Sequence, residues 1–272
     1  MKNSEFIILD GKGKYPDFYV SMYRLGYDKN VGKVANELDF NVENTAEEGN
    51  GFGYVGNINH NQALTLNTKL GGFTLPTLYF ADMLYQLIET IKGNRKTYDG
   101  DKKEIDSKKI ELFYDEITGV RGPWRGEHLD GEFGDNTITY HKFVNGKFQK
   151  VTEELEDCLM QDKLPGIDLE DWVKNPNSQG LPRKEAKKGS SYHGFPRDGA
   201  AAWFSADSVW AGLSCDGGPR VSYAGLGVRF CAEDTAQKIS VEESYTPKQI
   251  SSALKELNIL GLEKQIFEKL RE

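Results

Sequence analysis

The sequence has few cysteines and no long apolar run. Its 272 residues include three cysteines, Cys158, Cys215 and Cys231, none of them in a Cys-x-x-Cys pair. An odd number of widely spaced cysteines disfavours a disulfide scaffold or a zinc knuckle and is typical of free thiols. No stretch approaches the roughly 18 apolar residues of a membrane-spanning helix, and no export signal is visible. We therefore expect a soluble protein that does not insert into a membrane.

Positive charge is also in short supply. Against 42 acidic residues there are 34 basic ones, which gives a formal net charge of −8. Because nucleic-acid binding depends on clustered positive charge, we expect no nucleic-acid partner. The four histidines are scattered without the spacing of a metal-binding motif. We therefore expect neither a metal nor a cofactor.

Three motifs that could indicate catalysis have simpler interpretations. Gly51–Gly56 fits G-x-G-x-x-G, but no buried strand precedes it and no helix pattern follows directly, as a dinucleotide site requires. The acidic runs 153–157 and 168–171 could supply paired carboxylates, although such runs are usually solvated faces or helix caps. The segment 123–127 concentrates Trp124, Arg125 and Glu127, which favours a buried Arg–Glu pair beneath a tryptophan over an active site. Nothing here indicates an enzyme.

The most informative absence lies in residues 194–232. This 39-residue segment contains no Lys, Glu, Asn, Gln, Ile, Met, His or Thr, although these eight types supply 107 residues elsewhere in the chain. Every codon for each of the eight types contains adenine. A buried strand rich in small residues would lack Lys and Glu, but would not so readily lack Ile, Thr and Asn. Asp198, Asp207, Asp216 and Tyr223 still require adenine, so the depletion is incomplete.

The remaining pattern predicts an α+β chain forming one domain over 1–272. Alternating apolar residues predict a strand over 18–23 among the N-terminal strands and loops of 1–60. Helical spacing predicts a helix over 75–91, capped by Thr74 or Thr77. A strand is predicted over 136–140 before a turn at 145–146, and helices over 246–272. We interpret 41–61 and 93–109 as loops, and 160–192 as a long surface connection.

Several sequence blocks resemble one known family. The small-residue and tryptophan run at 198–203, Pro219 and the Leu-Gly-Val-Arg run at 226–229 are similar to the closing segment of the C-type-lectin fold of the formylglycine-generating-enzyme kind. The blocks at 123–130, 155–160, 165–167, 169–172 and 178–182 are similar to archaeal and archaeal-virus members that are variable proteins of diversity-generating retroelements. The resemblance covers roughly residues 60–232.

The resemblance implies a non-enzymatic ligand-binding protein with a hypervariable surface. In these systems a reverse transcriptase copies a template repeat with random substitution at adenines, and the copy replaces the gene's variable region. The fold then displays the variable side chains on one surface. The displayed positions in 194–232 would be Trp203, Ser205, Asp207, Val209, Trp210, Gly212, Ser214, Asp216, Gly217, Gly218, Val221 and Tyr223.

The interleaved residues would form the framework. They are Ala202, Phe204, Ala206, Ser208, Ala211, Leu213, Cys215, Pro219 and Leu226 to Arg229. Near-alternation of the two sets over 202–215 is what a strand with one buried and one exposed face would give. Trp203, Trp210 and Tyr223 would anchor an unknown macromolecular ligand, such as a protein or a cell-surface component.

Two other functions stay open at this point. One is an oxidase of the same fold acting at Cys215 or Cys231, although the enzymes' C-terminal cysteine motif is absent. The other is a structural virion or surface protein whose 194–232 segment packs between subunits. Calcium-lectin motifs are also absent. Without a visible export signal, we expect a cytoplasmic or virion-associated protein.

Overall fold

A mixed sheet of eleven strands forms the centre of the unit Met1–Glu233. The computed structural model describes residues 3–46 and 53–233. In chain order the strands are β1 (Phe6–Leu9), β2 (Phe18–Arg24), β3 (Glu43–Ala46), β4 (Gly53–Gly56), β5 (Phe73–Thr74), β6 (Arg125–Gly134), β7 (Thr137–Val144), β8 (Lys147–Glu154), β9 (Lys163–Ile167), β10 (Ser191–Gly194), β11 (Ala201–Ala206), β12 (Ala211–Gly217) and β13 (Leu226–Glu233).

The order of strands brings the two ends of the described chain together. The main path runs β1-β2-β13-β6-β11-β12-β10-β9, with β5 paired to β13 and the β7–β8 hairpin continuing from β6. Strands β3 and β4 form a separate two-stranded sheet. Strand β13 runs parallel to β6, whereas β11 is antiparallel to both β6 and β12. The sequence therefore predicted the α+β class correctly.

The described part of the chain contains five α-helices. They are α1 (Lys29–Glu37), α2 (His60–Lys69), α3 (Thr77–Ile91), α4 (Ser107–Thr118) and α5 (Leu169–Lys174). The predicted helix over 75–91 is confirmed as α3. Its predicted cap is wrong, because the N-cap residue is Pro76, which makes no side-chain hydrogen bond. Thr74 lies in β5, and the Thr77 hydroxyl donates to the carbonyl oxygen of Gln179 at 2.9 Å.

Three segments that we interpreted as loops contain regular structure. Residues 41–61 include β3, β4 and the start of α2, where Asn59 and Gln62 form a reciprocal capping box. Residues 93–109 lead into α4, whose N-cap Asp106 accepts a hydrogen bond from the amide of Lys108. Residues 160–192 include β9, α5 and the start of β10. These segments are polar and glycine-rich, a composition typical of loops. Some of the same polar residues, Asn59, Asp106 and Asp168, are the N-caps of α2, α4 and α5.

The two strands predicted from the sequence are present in the structure. Strand β2 covers the predicted 18–23 strand, and β7 covers the predicted strand at 136–140 from Thr137 onward. Asn145 and Gly146 form the hairpin turn between β7 and β8, both with positive φ. Such a turn favours these two residue types because they tolerate the left-handed region.

The main hydrophobic core lies on one face of the sheet, beneath α3, α4 and α5. Phe80 of α3 and Trp172 of α5 pack against Phe204 of β11, with ring centroids 5.1 and 6.4 Å apart respectively. Leu213 of β12 belongs to the same buried cluster. This core fixes one face of β11 and β12.

A second core lies on the opposite face of β13. Val228 and Phe230 pack there with Ala63 and Leu66 of α2 and with residues of α1 and β4. The alternate residues of β13, Arg229 and Cys231, lie on the other side, and Cys231 belongs to the main core. Helices therefore cover both faces of the sheet at β13.

The described residues all belong to one compact unit, Met1–Glu233. No described helix is long and apolar enough to cross a bilayer. The helices predicted over 246–272, and residues 51–52 of the G-x-G-x-x-G match, lie outside the described residues.

Candidate functional site

Strands β11 and β12 have two different faces. Ala202, Phe204 and Ala206 are buried in the main core, whereas the intervening Trp203 is half-buried on the opposite side. The strand pairing places Trp203 beside Ser214 and Ser205 beside Gly212. Paired residues in adjacent strands share a face, so these four positions form one surface, which we call the Trp203 face.

The predicted framework positions are mostly buried. Ala202, Phe204, Ala206, Ala211, Leu213, Cys215 and Leu226 to Arg229 are all buried. Ser208 is exposed and Pro219 half-buried, so burial does not support a framework role for Ser208. Ser208 lies in the connection between β11 and β12, where strand alternation no longer sets which way a side chain points.

Trp203 is held in place by its neighbours. Its ring lies 6.3 Å from that of His128 of β6, in an edge-to-face arrangement. Gly217 lies against the ring, and any Cβ there would overlap it. Trp203 therefore has a rigid, partly exposed surface, which is the property of a good binding anchor.

Two buried histidines support the Trp203 face. His128 has its Nε2 2.8 Å from the carbonyl oxygen of Ile58, and its ring lies 5.8 Å from that of His60. His60 is fully buried, 3.6 Å from the Glu132 carboxylate. Burial lowers the pKa of His60 to about 3 and that of His128 to about 4, so both rings are neutral at pH 7.

Aromatic side chains gather at one end of the sheet. The register pairs Ala206 with both Arg125 and Ala211, which brings the β11–β12 turn close to the start of β6. Here Trp210 lies 6.2 Å from Tyr192, and Tyr223 lies 5.7 Å from Trp124. We call the group Trp124, Tyr192, Val209, Trp210 and Tyr223 the aromatic edge.

The loops that carry the aromatic edge are fixed by hydrogen bonds. The Asp207 side chain accepts from the amides of Val209 and Trp210 at 2.7 and 2.9 Å. The carbonyl oxygen of Tyr223 accepts from the Asn57 amide at 2.9 Å. Val209 at 66% and Tyr223 at 51% are among the most exposed large apolar side chains described. Burial of large apolar side chains normally stabilises a fold, so the exposure of these two side chains requires an explanation.

The sequence missed two members of this group. Tyr192 lies just before the 194–232 segment, and Trp124 lies about 70 residues away from it. The tryptophan was visible in the 123–127 cluster, which we interpreted as a cover for a buried Arg125–Glu127 pair. That interpretation is wrong: Glu127 pairs with Arg229 at 2.8 Å, and Arg125 donates to the backbone carbonyl oxygens of Glu116 and Arg121.

The twelve predicted displayed positions divide into three groups by exposure. Val209 and Tyr223 are exposed; Trp203, Asp207, Trp210, Asp216, Gly218 and Val221 are half-buried; Ser205, Gly212, Ser214 and Gly217 are buried. The prediction that all twelve are displayed to solvent is therefore wrong for the last four. Trp203 occupies the space over Gly217, and Ser205 and Ser214 lie on the two strands directly beside it.

Gly212 is the clearest exception. A Cβ there would overlap the backbone carbonyl of Tyr192 in β10, which cannot move without breaking the strand pairing. Asp207 is also poorly suited to be a variable position, because its carboxylate accepts the hydrogen bonds from the amides of Val209 and Trp210 that hold the turn. A side chain that holds the backbone is poorly suited to free variation.

The cysteines lie away from solvent. Cys158, Cys215 and Cys231 are free and buried. Burial raises the pKa of the Cys158 thiol to about 11 and those of Cys215 and Cys231 well above the usual range. All three are therefore neutral thiols at pH 7. Within residues 3–46 and 53–233, no cluster of three His, Cys, Asp or Glu side chains could hold a metal ion.

The acidic runs have structural roles. Asp168 caps α5 by accepting from the Asp171 amide at 2.8 Å, and Asp171 pairs with Lys187 at 3.0 Å. Glu153 pairs with Lys142 and accepts from the Tyr140 hydroxyl. These contacts agree with the simpler interpretation of both runs as caps and surface pairs.

No protein-family model matches the chain, and neither a curated protein nor a solved structure matches it.

Proposed function

We propose that the chain is a non-enzymatic ligand-binding protein of C-type-lectin fold, of the formylglycine-generating-enzyme kind. In this proposal residues 194–232 are the variable region of a diversity-generating retroelement. Trp203, the one partly exposed residue of the Trp203 face, and the aromatic edge form its recognition surface. The single observation that carries the proposal is the absence from 194–232 of eight of the ten residue types whose every codon contains adenine, the other two being Asp and Tyr.

The two-faced β11–β12 pair supports this proposal. A diversified surface needs positions that can change without unfolding the protein, beside positions that never change. The buried Ala202, Phe204 and Leu213 provide the second kind, on the face that packs under α3. Val209, Trp210 and Tyr223 provide the first kind. The turn that carries Val209 and Trp210 is held by hydrogen bonds to Asp207, and the loop that carries Tyr223 is held by the Asn57 amide.

The chemistry of the recognition surface suits a macromolecular partner. Tryptophan and tyrosine offer large, rigid contact areas with little rotamer entropy to lose, and they dominate the energetics of protein interfaces. Asp216 adds one polar position, 3.8 Å from the Arg197 guanidinium. The overall charge of −8 favours a protein or a cell-surface component over a nucleic acid.

The state of the thiols favours binding over the oxidase alternative. An oxidase acting at Cys215 or Cys231 needs an accessible thiol that can ionise. Both side chains are fully buried, and burial raises the pKa of each thiol well above its usual range. The Arg229 guanidinium lowers the pKa of Cys231, but by less than burial raises it.

The test is the nucleotide sequence around this gene. We expect a second, near-identical copy of codons 194–232, differing from the gene at adenines, beside a gene for a reverse transcriptase. Finding neither in the surrounding few kilobases would contradict the retroelement proposal. The missing residue types would then reflect ordinary composition.

A further inference from the structure

A cleft away from the recognition surface collects positive charge. It has a volume of about 760 Å³ and lies between the turn after β1, the first half of α3, strand β7 and the segment 173–183. Five cationic side chains line it, against one carboxylate. They are Lys12, Lys14, Lys142, Lys174 and Arg183, and the carboxylate is that of Asp82.

The single carboxylate is already engaged. Asp82 accepts a hydrogen bond from the Tyr15 hydroxyl and another from Gln86 Nε2 at 3.0 Å. Of the cations, Lys142 is paired with Glu153. Lys14 and Lys174 are exposed and form no ion pair with any described residue. The cleft therefore carries at least two positive charges that no described carboxylate neutralises, in a chain whose net charge is −8.

The walls of the cleft are fixed before any ligand arrives. Tyr15 holds the turn after β1 through Asp82 and packs 4.5 Å from the ring of Tyr79. On the other side, the Trp172 indole donates to the carbonyl oxygen of Gly180 at 3.0 Å, which fastens α5 to the segment that carries Arg183. A cleft whose walls are already ordered loses less conformational entropy when a ligand binds.

Aromatic rings stand among the charges. Tyr85 is half-buried, with the Lys12 ammonium 5.4 Å from its ring centre, and Phe143 is half-buried on β7. Ligand sites of about 300–1,000 Å³ commonly combine apolar walls with a few convergent polar groups. A concavity of about 710 Å³ along α1 lacks this character, because Asp28 and Glu37 there balance Lys29 and Lys33.

We propose that this cleft binds a small organic anion that combines a flat ring with at least two negative charges, as a nucleoside diphosphate does. The charges would meet Lys14, Lys174 and Arg183, while the ring would lie against Tyr85 or Phe143. A small ligand fits better than an anionic polymer, which would extend from the cleft onto a negatively charged protein. The inference depends on the cleft and not on the recognition surface, so either can fail without the other.

The test is isothermal titration calorimetry on the full chain with ADP, and separately with pyrophosphate and with adenosine. We expect saturable binding of ADP below about 1 mM, tighter than that of either fragment, and weaker at higher ionic strength. The double variant Lys14→Glu/Lys174→Glu should bind ADP at least about tenfold more weakly. The control Lys108→Glu/Lys147→Glu, which changes two exposed lysines outside the cleft by the same charge, should bind ADP within about twofold of the unaltered chain.

Three results would overturn this inference. They are no saturable binding of ADP, an equal loss of affinity in the two double variants, and binding of pyrophosphate or adenosine as tight as that of ADP. The first would remove the ligand class, the second the location, and the third the combination of ring and charge. Circular dichroism spectra of both double variants, matching that of the unaltered chain, establish that a loss of binding is not a loss of fold.

Discussion

Replacing Phe204 and Trp210 separately by alanine measures the difference between the two sides of β11 and β12. Phe204 is 1% exposed and packs on Phe80 and Trp172, so Phe204→Ala leaves a cavity in the main core. Such truncations cost about 3–5 kcal/mol of unfolding free energy. Trp210 is half-buried and has one ring neighbour, Tyr192, so Trp210→Ala should cost only about 1 kcal/mol.

The assay is urea unfolding followed by tryptophan fluorescence for Phe204→Ala and by circular dichroism for both variants. We expect the unfolding midpoint to fall strongly for Phe204→Ala and little for Trp210→Ala, with unchanged dependence on denaturant. In a thermal melt the first loss corresponds to a fall of roughly 6–20 °C for a domain of this size. Equal losses in the two variants, or a loss below about 1 kcal/mol for Phe204→Ala, would refute the assignment of a core face and a recognition face.

Three further predictions concern the support beneath the recognition surface. Arg229→Met should cost about 3–5 kcal/mol, because Glu127 would keep a buried charge without its partner. The free energy of unfolding should fall as the pH drops from 7 to 5, by at least about 1 kcal/mol for each of His60 and His128. Their folded pKa values, about 3 and about 4, lie below the unfolded value near 6.5, so the unfolded state takes up protons first. Gly212→Ala should destabilise the fold by about 2 kcal/mol or more, because its methyl group would overlap the backbone of β10.

Each of the three has a direct check by urea unfolding. The double variant Arg229→Met/Glu127→Leu should recover part of the stability lost in Arg229→Met, and a further loss would contradict the buried-pair argument. A His60→Phe variant should show a shallower loss of stability between pH 7 and 5, whereas an unchanged slope would mean that this ring is not neutral in the fold. Gly218→Ala is the control for Gly212→Ala, because only the Val221 side chain would be near its methyl group.

Local pattern predicted the parts of the fold that repeat along the chain. Helix α3 has its apolar residues at helical spacing and was found with nearly correct bounds. Strand β7 and its Asn-Gly turn were also found, but the predicted strand ended at Tyr140, four residues before the end of β7 at Val144. Helix α1 was missed, because only Val31, Gly32 and Ala35 among its nine residues are buried. The helix is also only nine residues long and contains Gly32, which has low helix propensity, so it is easily missed in the sequence.

Contacts between distant residues account for what the sequence could not give. His60 and His128 meet only because α2 packs on β6, and nothing in either local sequence predicts that meeting. Trp124 joins the aromatic edge because β6 pairs with β11 across about 80 residues of chain. Alternation did separate Phe204 from Trp203, but it could not show that the carbonyl of Tyr192 leaves no room beside Gly212.

The most direct test of the central claim is to sequence codons 194–232 of this gene in many isolates of the population that carries it. The proposed function predicts amino-acid substitutions concentrated at Val209, Trp210 and Tyr223 and at the partly exposed Trp203, with Phe204 and the other buried framework residues unchanged. Substitutions spread evenly over exposed and buried codons, or an invariant segment in every isolate, would contradict it.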